Sequence, residues 1–146
     1  MPHAHILVWQ KKKKRGEVTP SLIESFVCAK IPDPNEDPLG YALVAEFMMH
    51  GPCGTDNPKC SCMKEGVCSR KFPKEFQPET YIDESGFPVY KRPRNDCFIM
   101  KNKTRLDNRY VIPYNMALLK IYQAHLNVQW CNKTHVIKYL YKYVSH

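Results

Sequence analysis

Along residues 125–130 the chain alternates cleanly: Leu126, Val128 and Trp130 fall on one face, His125, Asn127 and Gln129 on the other. Period two is the signature of a strand with one buried side. Residues 4–9, AHILVW, alternate more loosely but are rich in strand formers. Other stretches have helical spacing. Residues 20–29, PSLIESFVCA, predict a short helix or strand opened by Pro20. Asp37 followed by Pro38 has the form of an N-cap with a first-turn proline, leading into LGYALVAEFMM. Asn115 is placed to cap MALLKIYQ, and residues 132–146, NKTHVIKYLYKYVSH, again have helical periodicity. On that helix Tyr139 and Tyr143 share one face at i,i+4, whereas Val136, Leu140 and Val144 form a separate, core-like face.

Between these segments, ESGFPVYKRP predicts a turn and a short strand, and CFIMKNKTRLDNRYVIP two short strands around a polar, basic turn. Residues 51–73 hold three glycines and three prolines and predict an irregular loop. Helices and strands are mixed without βαβ order. The expected fold class is therefore α+β, a central antiparallel sheet with flanking helices and a Cys-rich insertion at about residues 50–73, in a single domain over residues 1–146.

Composition narrows the partners. The chain has 146 residues, 43% hydrophobic and 25% charged, as in a globular domain. No apolar run approaches the about 20 residues that span a bilayer. The basic run 11–15, KKKKR, follows the apolar stretch instead of preceding it, unlike a signal peptide. No membrane partner is expected, and the setting is nuclear or cytosolic. A net charge of +8, from 22 Lys+Arg against 14 Asp+Glu, points to a polyanion. Two further basic patches lie on predicted turns, Lys91, Arg92 and Arg94 in one and Lys101, Lys103 and Arg105 in the other, with Tyr90, Phe98 and Tyr110 nearby. Cations that neutralise phosphates beside rings that stack on unpaired bases suit single-stranded DNA.

Two constellations carry candidate chemistry. His3 and His5 stand on one face of a predicted strand, about 7 Å apart, where two imidazoles can close on one metal ion. A tyrosine phenol ionises only near pH 10. It becomes a useful nucleophile toward a phosphate when a cation polarises the electrophile, so the histidine pair and the tyrosine pair complement each other. The second constellation is His50, Cys53, Cys60, Cys62 and Cys68, with cysteine spacing C-x6-C-x-C-x5-C. Four of these five ligands suffice for a tetrahedral structural zinc, and spacing alone leaves open which four. The remaining cysteines, Cys28, Cys97 and Cys131, read as small buried residues.

These motifs resemble a known family. PHAHIL is similar to the His-hydrophobic-His signature of HUH endonucleases, and KYLYKY to the two-tyrosine motif of the rolling-circle initiator (Rep) domain of Helitron transposons. Four intervening blocks, IPDPNEDPLGYALVAEFMMHGPCG, CMKEGVCSRKFPKEF, LDNRYVIPYN and HLNVQWC, resemble the Helitron helicase-like N-terminal domain in the expected order.

The resemblance implies that His3 and His5 hold a catalytic divalent cation, magnesium or manganese, with nitrogen ligands tilting the preference toward manganese. His125 is the candidate third ligand, with Asn127 and Gln129 behind it. Tyr139 and Tyr143 would be the nucleophiles, forming a covalent 5′-phosphotyrosine during nicking and strand transfer, with Lys142 stabilising the phosphate or lowering a tyrosine pKa. For zinc, the resemblance favours His50, Cys53, Cys62 and Cys68, leaving Cys60 as an extra; a four-cysteine set is the alternative. The family pattern places a further strand and helix ahead of the histidine pair, where this sequence has Met1 and Pro2, and a helicase domain after it, so an N-terminally short fragment is expected. A reading from another class is a non-catalytic, zinc-stabilised nucleic-acid-binding module.

Overall fold

The computed structural model describes residues 18–131. Each helix begins where a side chain answers the unpaired N–H groups of a first turn. Thr19 caps α1 (Pro20–Phe26), its hydroxyl accepting from Leu22 N–H at 3.2 Å. Asp37 caps α2 (Pro38–Phe47), accepting from Gly40 N–H at 2.9 Å while its other oxygen pairs with Lys120 at 3.0 Å. Asn115 caps α3 (Met116–Tyr122) through Leu118 N–H at 3.0 Å and donates to Phe26 O at 2.8 Å, which ties the start of α3 to the end of α1. Gly40 sits where α2 and α3 meet, and a Cβ there would collide with the Asp37 carboxylate and the Met116 methyl.

The strands form three separate antiparallel hairpins: β1 (Met63–Lys64) with β2 (Val67–Cys68), β3 (Tyr81–Ile82) with β4 (Pro88–Val89), and β5 (Ile99–Lys101) with β6 (Thr104–Leu106). The β5–β6 turn places Asn102 and Lys103 at φ 49° and 64°, the left-handed pair that a tight two-residue hairpin turn requires. Mixed helices and antiparallel strands agree with the α+β expectation. A central sheet joining the hairpins is not found among the described residues.

The alternation at residues 125–130 survives as burial. Leu126, Val128 and Trp130 are half-buried, whereas His125, Asn127 and Gln129 are exposed. The segment is held by single bonds rather than a ladder: Val128 N–H donates to Pro113 O and Trp130 N–H to the Tyr90 hydroxyl, both at 2.9 Å.

One apolar cluster joins Leu43 and Val44 of α2, Ile99 and Leu106 of the third hairpin, Leu119 of α3, and Val111 before it. A second gathers Ile23, Val27, Ala29 and Tyr90, with Val128 and Trp130 against it. Asn108 lies buried beside the first. Its carbonyl Oδ1 accepts from Ile31 N–H at 2.7 Å and its amide donates to Pro93 O at 2.7 Å. Arg92 is buried here too, 5% exposed, with Nη1 donating to Asn108 O and Val111 O at 2.8 Å each. Burial holds its guanidinium down at a pKa of about 10. This corrects the placing of Arg92 in a solvent-facing patch: the residue is buried and its Nη1 donates to two backbone carbonyls. The three outlying cysteines are likewise less buried than expected, Cys28 and Cys97 half-buried and Cys131 exposed. No helix of the described residues is long and apolar enough to cross a membrane.

Candidate metal centre

His50 leaves the end of α2 and is anchored by its N–H, which donates to Tyr110 O at 2.8 Å. Gly51 follows at φ 105°, a backbone region open to glycine, and turns the chain so that Cys53 points inward. The loop then folds on itself. Asn57 donates to Pro52 O at 3.3 Å, and Gly54 N–H reaches Met63 Sδ at 3.2 Å. Cys62 and Cys68 bracket the first hairpin, whose turn carries Glu65 and Gly66 at φ 52° and 82°. Ser69 N–H donates to Cys62 O at 2.7 Å and closes its base.

This path brings His50, Cys53, Cys62 and Cys68 together, their ligand atoms all within 4.8 Å of one another. His50 Nε2 stands 3.4 Å from Cys68 Sγ. A tetrahedral zinc with Zn–S near 2.3 Å and Zn–N near 2.0 Å needs ligand separations of about 3.4 to 3.8 Å, so small side-chain adjustments close the site. Donor chemistry fits as well: one imidazole and three sulfurs, two of them buried. Among the described residues, the histidine-containing set is the one whose ligand atoms converge. Cys60 lies outside it, half-buried on the rim.

Environment shapes these ligands. Burial, with Arg70 and Lys74 nearby, lowers the His50 pKa, which favours the neutral ring that metals bind. The ring stacks on Phe72, centroids 4.3 Å apart at 16°. Burial pushes the Cys62 thiol up to about 12 and raises Cys53 as well. Burial also acts to raise Cys68, but the backbone N–H groups of Phe72 and Arg70 bring it below its ordinary value. A cation entering the cluster supplies the charge that makes thiolates there affordable.

The other expected site residues divide by position. His3, His5, Tyr139, Lys142 and Tyr143 lie outside the described residues. His125 is exposed beside the cluster on a cleft of about 480 Å³ that His50, Gly51 and Cys60 also line. Its Nδ1 is 2.8 Å from Phe47 O. A carbonyl oxygen only accepts, so Nδ1–H donates to it and Nε2 is the ring nitrogen left to face a ligand, the usual orientation of a metal-binding imidazole.

Lys91, Arg94, Lys103 and Arg105 are exposed and Lys101 half-buried, on two different segments. Arg105 lies 3.7 Å over the Phe98 ring and Arg94 4.4 Å over Phe76, so these cations are held against aromatic faces rather than swinging free. Sequence reasoning passed over Arg70 and Lys74, which flank Phe72 just after the cluster; the signal was present in RKFPK, a basic run interleaved with an aromatic.

Scans against protein-family models and curated proteins find no match to this chain.

Proposed function

We propose that the chain is a zinc-ordered, single-stranded DNA nicking and strand-transfer domain of the Helitron Rep type. Zinc is structural in this reading, held by His50, Cys53, Cys62 and Cys68. The observation that carries the reading is their convergence: of five candidate ligands, the four that meet are the four the family resemblance implies. The exposed, ring-supported cations Arg94 and Arg105 support a nucleic-acid partner. The fixed tautomer of His125 supports its role as third ligand beside His3 and His5. Magnesium or manganese held there supplies Lewis-acid polarisation of the scissile phosphate.

The chain's own residues do the rest. The Oη of Tyr139 or Tyr143 forms a bond to phosphorus as the bond to the 3′ oxygen breaks. The phenol gives up its proton, and the departing oxygen takes one to become a 3′-hydroxyl. The 5′ phosphate stays on tyrosine, and the second tyrosine serves strand transfer. Lys142 neutralises phosphate charge.

The test is a covalent adduct. Incubation with labelled single-stranded DNA and manganese should give a slowed band on a denaturing gel. That band should vanish in the Tyr139→Phe, Tyr143→Phe double variant and in His3→Ala, His5→Ala. A band that persists in the double tyrosine variant overturns tyrosine attack. No band, alongside salt-sensitive DNA binding, selects the second reading, a non-catalytic zinc-stabilised binding module, which the cluster and the surface cations support without any nucleophile.

A further inference from the structure

A second cleft, which His50 also lines, has a volume of about 580 Å³, within the ~300–1,000 Å³ typical of ligand sites. Its walls include the loop after β2, the β3–β4 hairpin, Ile112 and Pro113, and the alternating segment before residue 131. Arg70 and Lys74 line it, as does part of buried Arg92. Ion pairs among the described residues join Arg109 to Asp107 and Lys120 to Asp37. None of the three cleft cations has a carboxylate partner there, and Glu75 is the one acidic residue on the described lining.

Lys74 is preorganised, with Nζ donating to Arg70 O at 3.1 Å and lying 4.8 Å over the Phe72 ring. Asn127 and Gln129 line the same cleft with exposed amides, linked to each other at 3.3 Å. Tyr81 is 45% exposed at the rim.

Cations without counter-charge, paired amides and an accessible ring are the three contacts an unpaired nucleotide needs: phosphate neutralisation, hydrogen bonding to a base edge, and stacking. We propose that this cleft holds one nucleotide of a single DNA strand, with its phosphate at Arg70 and Lys74, its base edge at Asn127 and Gln129, and its ring against Tyr81. The inference rests on the single-stranded DNA reading above and adds to it a recognition subsite built on Arg70 and Lys74. It also gives the polar face of residues 125–130 a second task beside metal binding: His125 opens toward one cleft, Asn127 and Gln129 toward the other.

The experiment is fluorescence anisotropy of the full chain with labelled oligothymidylate over a salt series. Arg70→Ala with Lys74→Ala should weaken binding about tenfold and make the salt dependence shallower by roughly 0.7 per lost phosphate contact. Asn127→Ala with Gln129→Ala should leave the salt slope alone and even out the preference among thymidylate, cytidylate and adenylate oligomers. Tyr81→Ala should weaken all of them by about fivefold or more.

Circular dichroism and melting identify any variant that fails to fold, and in that event the amide pair, on the exposed face, decides. Wild-type affinity and slope in folded Arg70→Ala, Lys74→Ala protein overturn the cleft. Thymidine monophosphate competing as well as the oligomer also overturns it, in favour of a free-nucleotide pocket. The nicking reading fails separately, by loss of the covalent adduct with these affinities intact.

Discussion

Arg92 shows how far a residue's type can mislead about its place. It sits in the run KRPR between Lys91 and Arg94, both exposed, yet its own guanidinium is buried against two carbonyls. The cause is non-local. Gln77 and Arg92 exchange backbone hydrogen bonds at 2.9 and 2.8 Å, and that bridge turns this one side chain inward. Nothing within the run encodes a partner fifteen positions earlier. Arg92→Ala should cost about 3 kcal/mol or more in urea denaturation, because two buried carbonyls lose their donor.

Asp107 gives a pH prediction. Burial acts to raise its pKa, but the hydrogen bonds and charge of Arg109 prevail and hold it below the ordinary 3.8. A depressed carboxylate adds stability above its unfolded pKa and loses it as pH falls through the folded value. Melting temperature should therefore fall less steeply below pH 4 in Asp107→Asn than in wild type, with the two curves farthest apart near neutrality.

Among the elements, local signals were legible and pairings were not. The caps Asp37 and Asn115 announce helices that form at those positions, because capping needs one side chain and its own next turn. The turns of the second and third hairpins are similarly self-contained. The joining of hairpins into a central sheet was expected from fold class alone, and the described strands, two or three residues long, do not extend far enough to meet.

Two substitutions probe this level. Asn115→Ala removes both the α3 cap and the link to Phe26, and should cost about 2 kcal/mol by thermal melting. Lys103→Gly relieves a left-handed lysine and should stabilise the third hairpin by up to about 1 kcal/mol. If Lys103 contacts DNA as proposed, the same variant binds single strands more weakly, so the two readouts move in opposite directions.

For the molecule as a whole, neither apolar cluster of the described residues draws on the Cys-rich loop, where the ligand cluster gathers the buried side chains instead. The resemblance named its four ligands, but spacing alone could not exclude Cys60. Cys60 sits two residues from Cys62 but within successive turns, its N–H donating to Asn57 O at 3.2 Å and its carbonyl accepting from Met63 N–H at 2.9 Å, and it lies outside the group that converges. Elemental analysis should find about one zinc per chain in wild type and in Cys60→Ser, and much less in Cys62→Ser. A strong chelator should lower the melting temperature of the first two and change the third little.

Once metal joins His50 to Cys68, residues eighteen apart in sequence, the intervening chain becomes a ring. Closing a loop of this size removes roughly 3 kcal/mol of unfolded-state entropy in a disulfide, and a coordinate bond acts on the same topology. The ring has a mechanical corollary. A single protease cut at Lys59 severs the peptide without parting the pieces, since Cys53 remains clasped to Cys62 across the break. The apolar clusters also span that break, so withdrawing the metal from the nicked protein should free the cut loop and lower the melting temperature while the two pieces stay together.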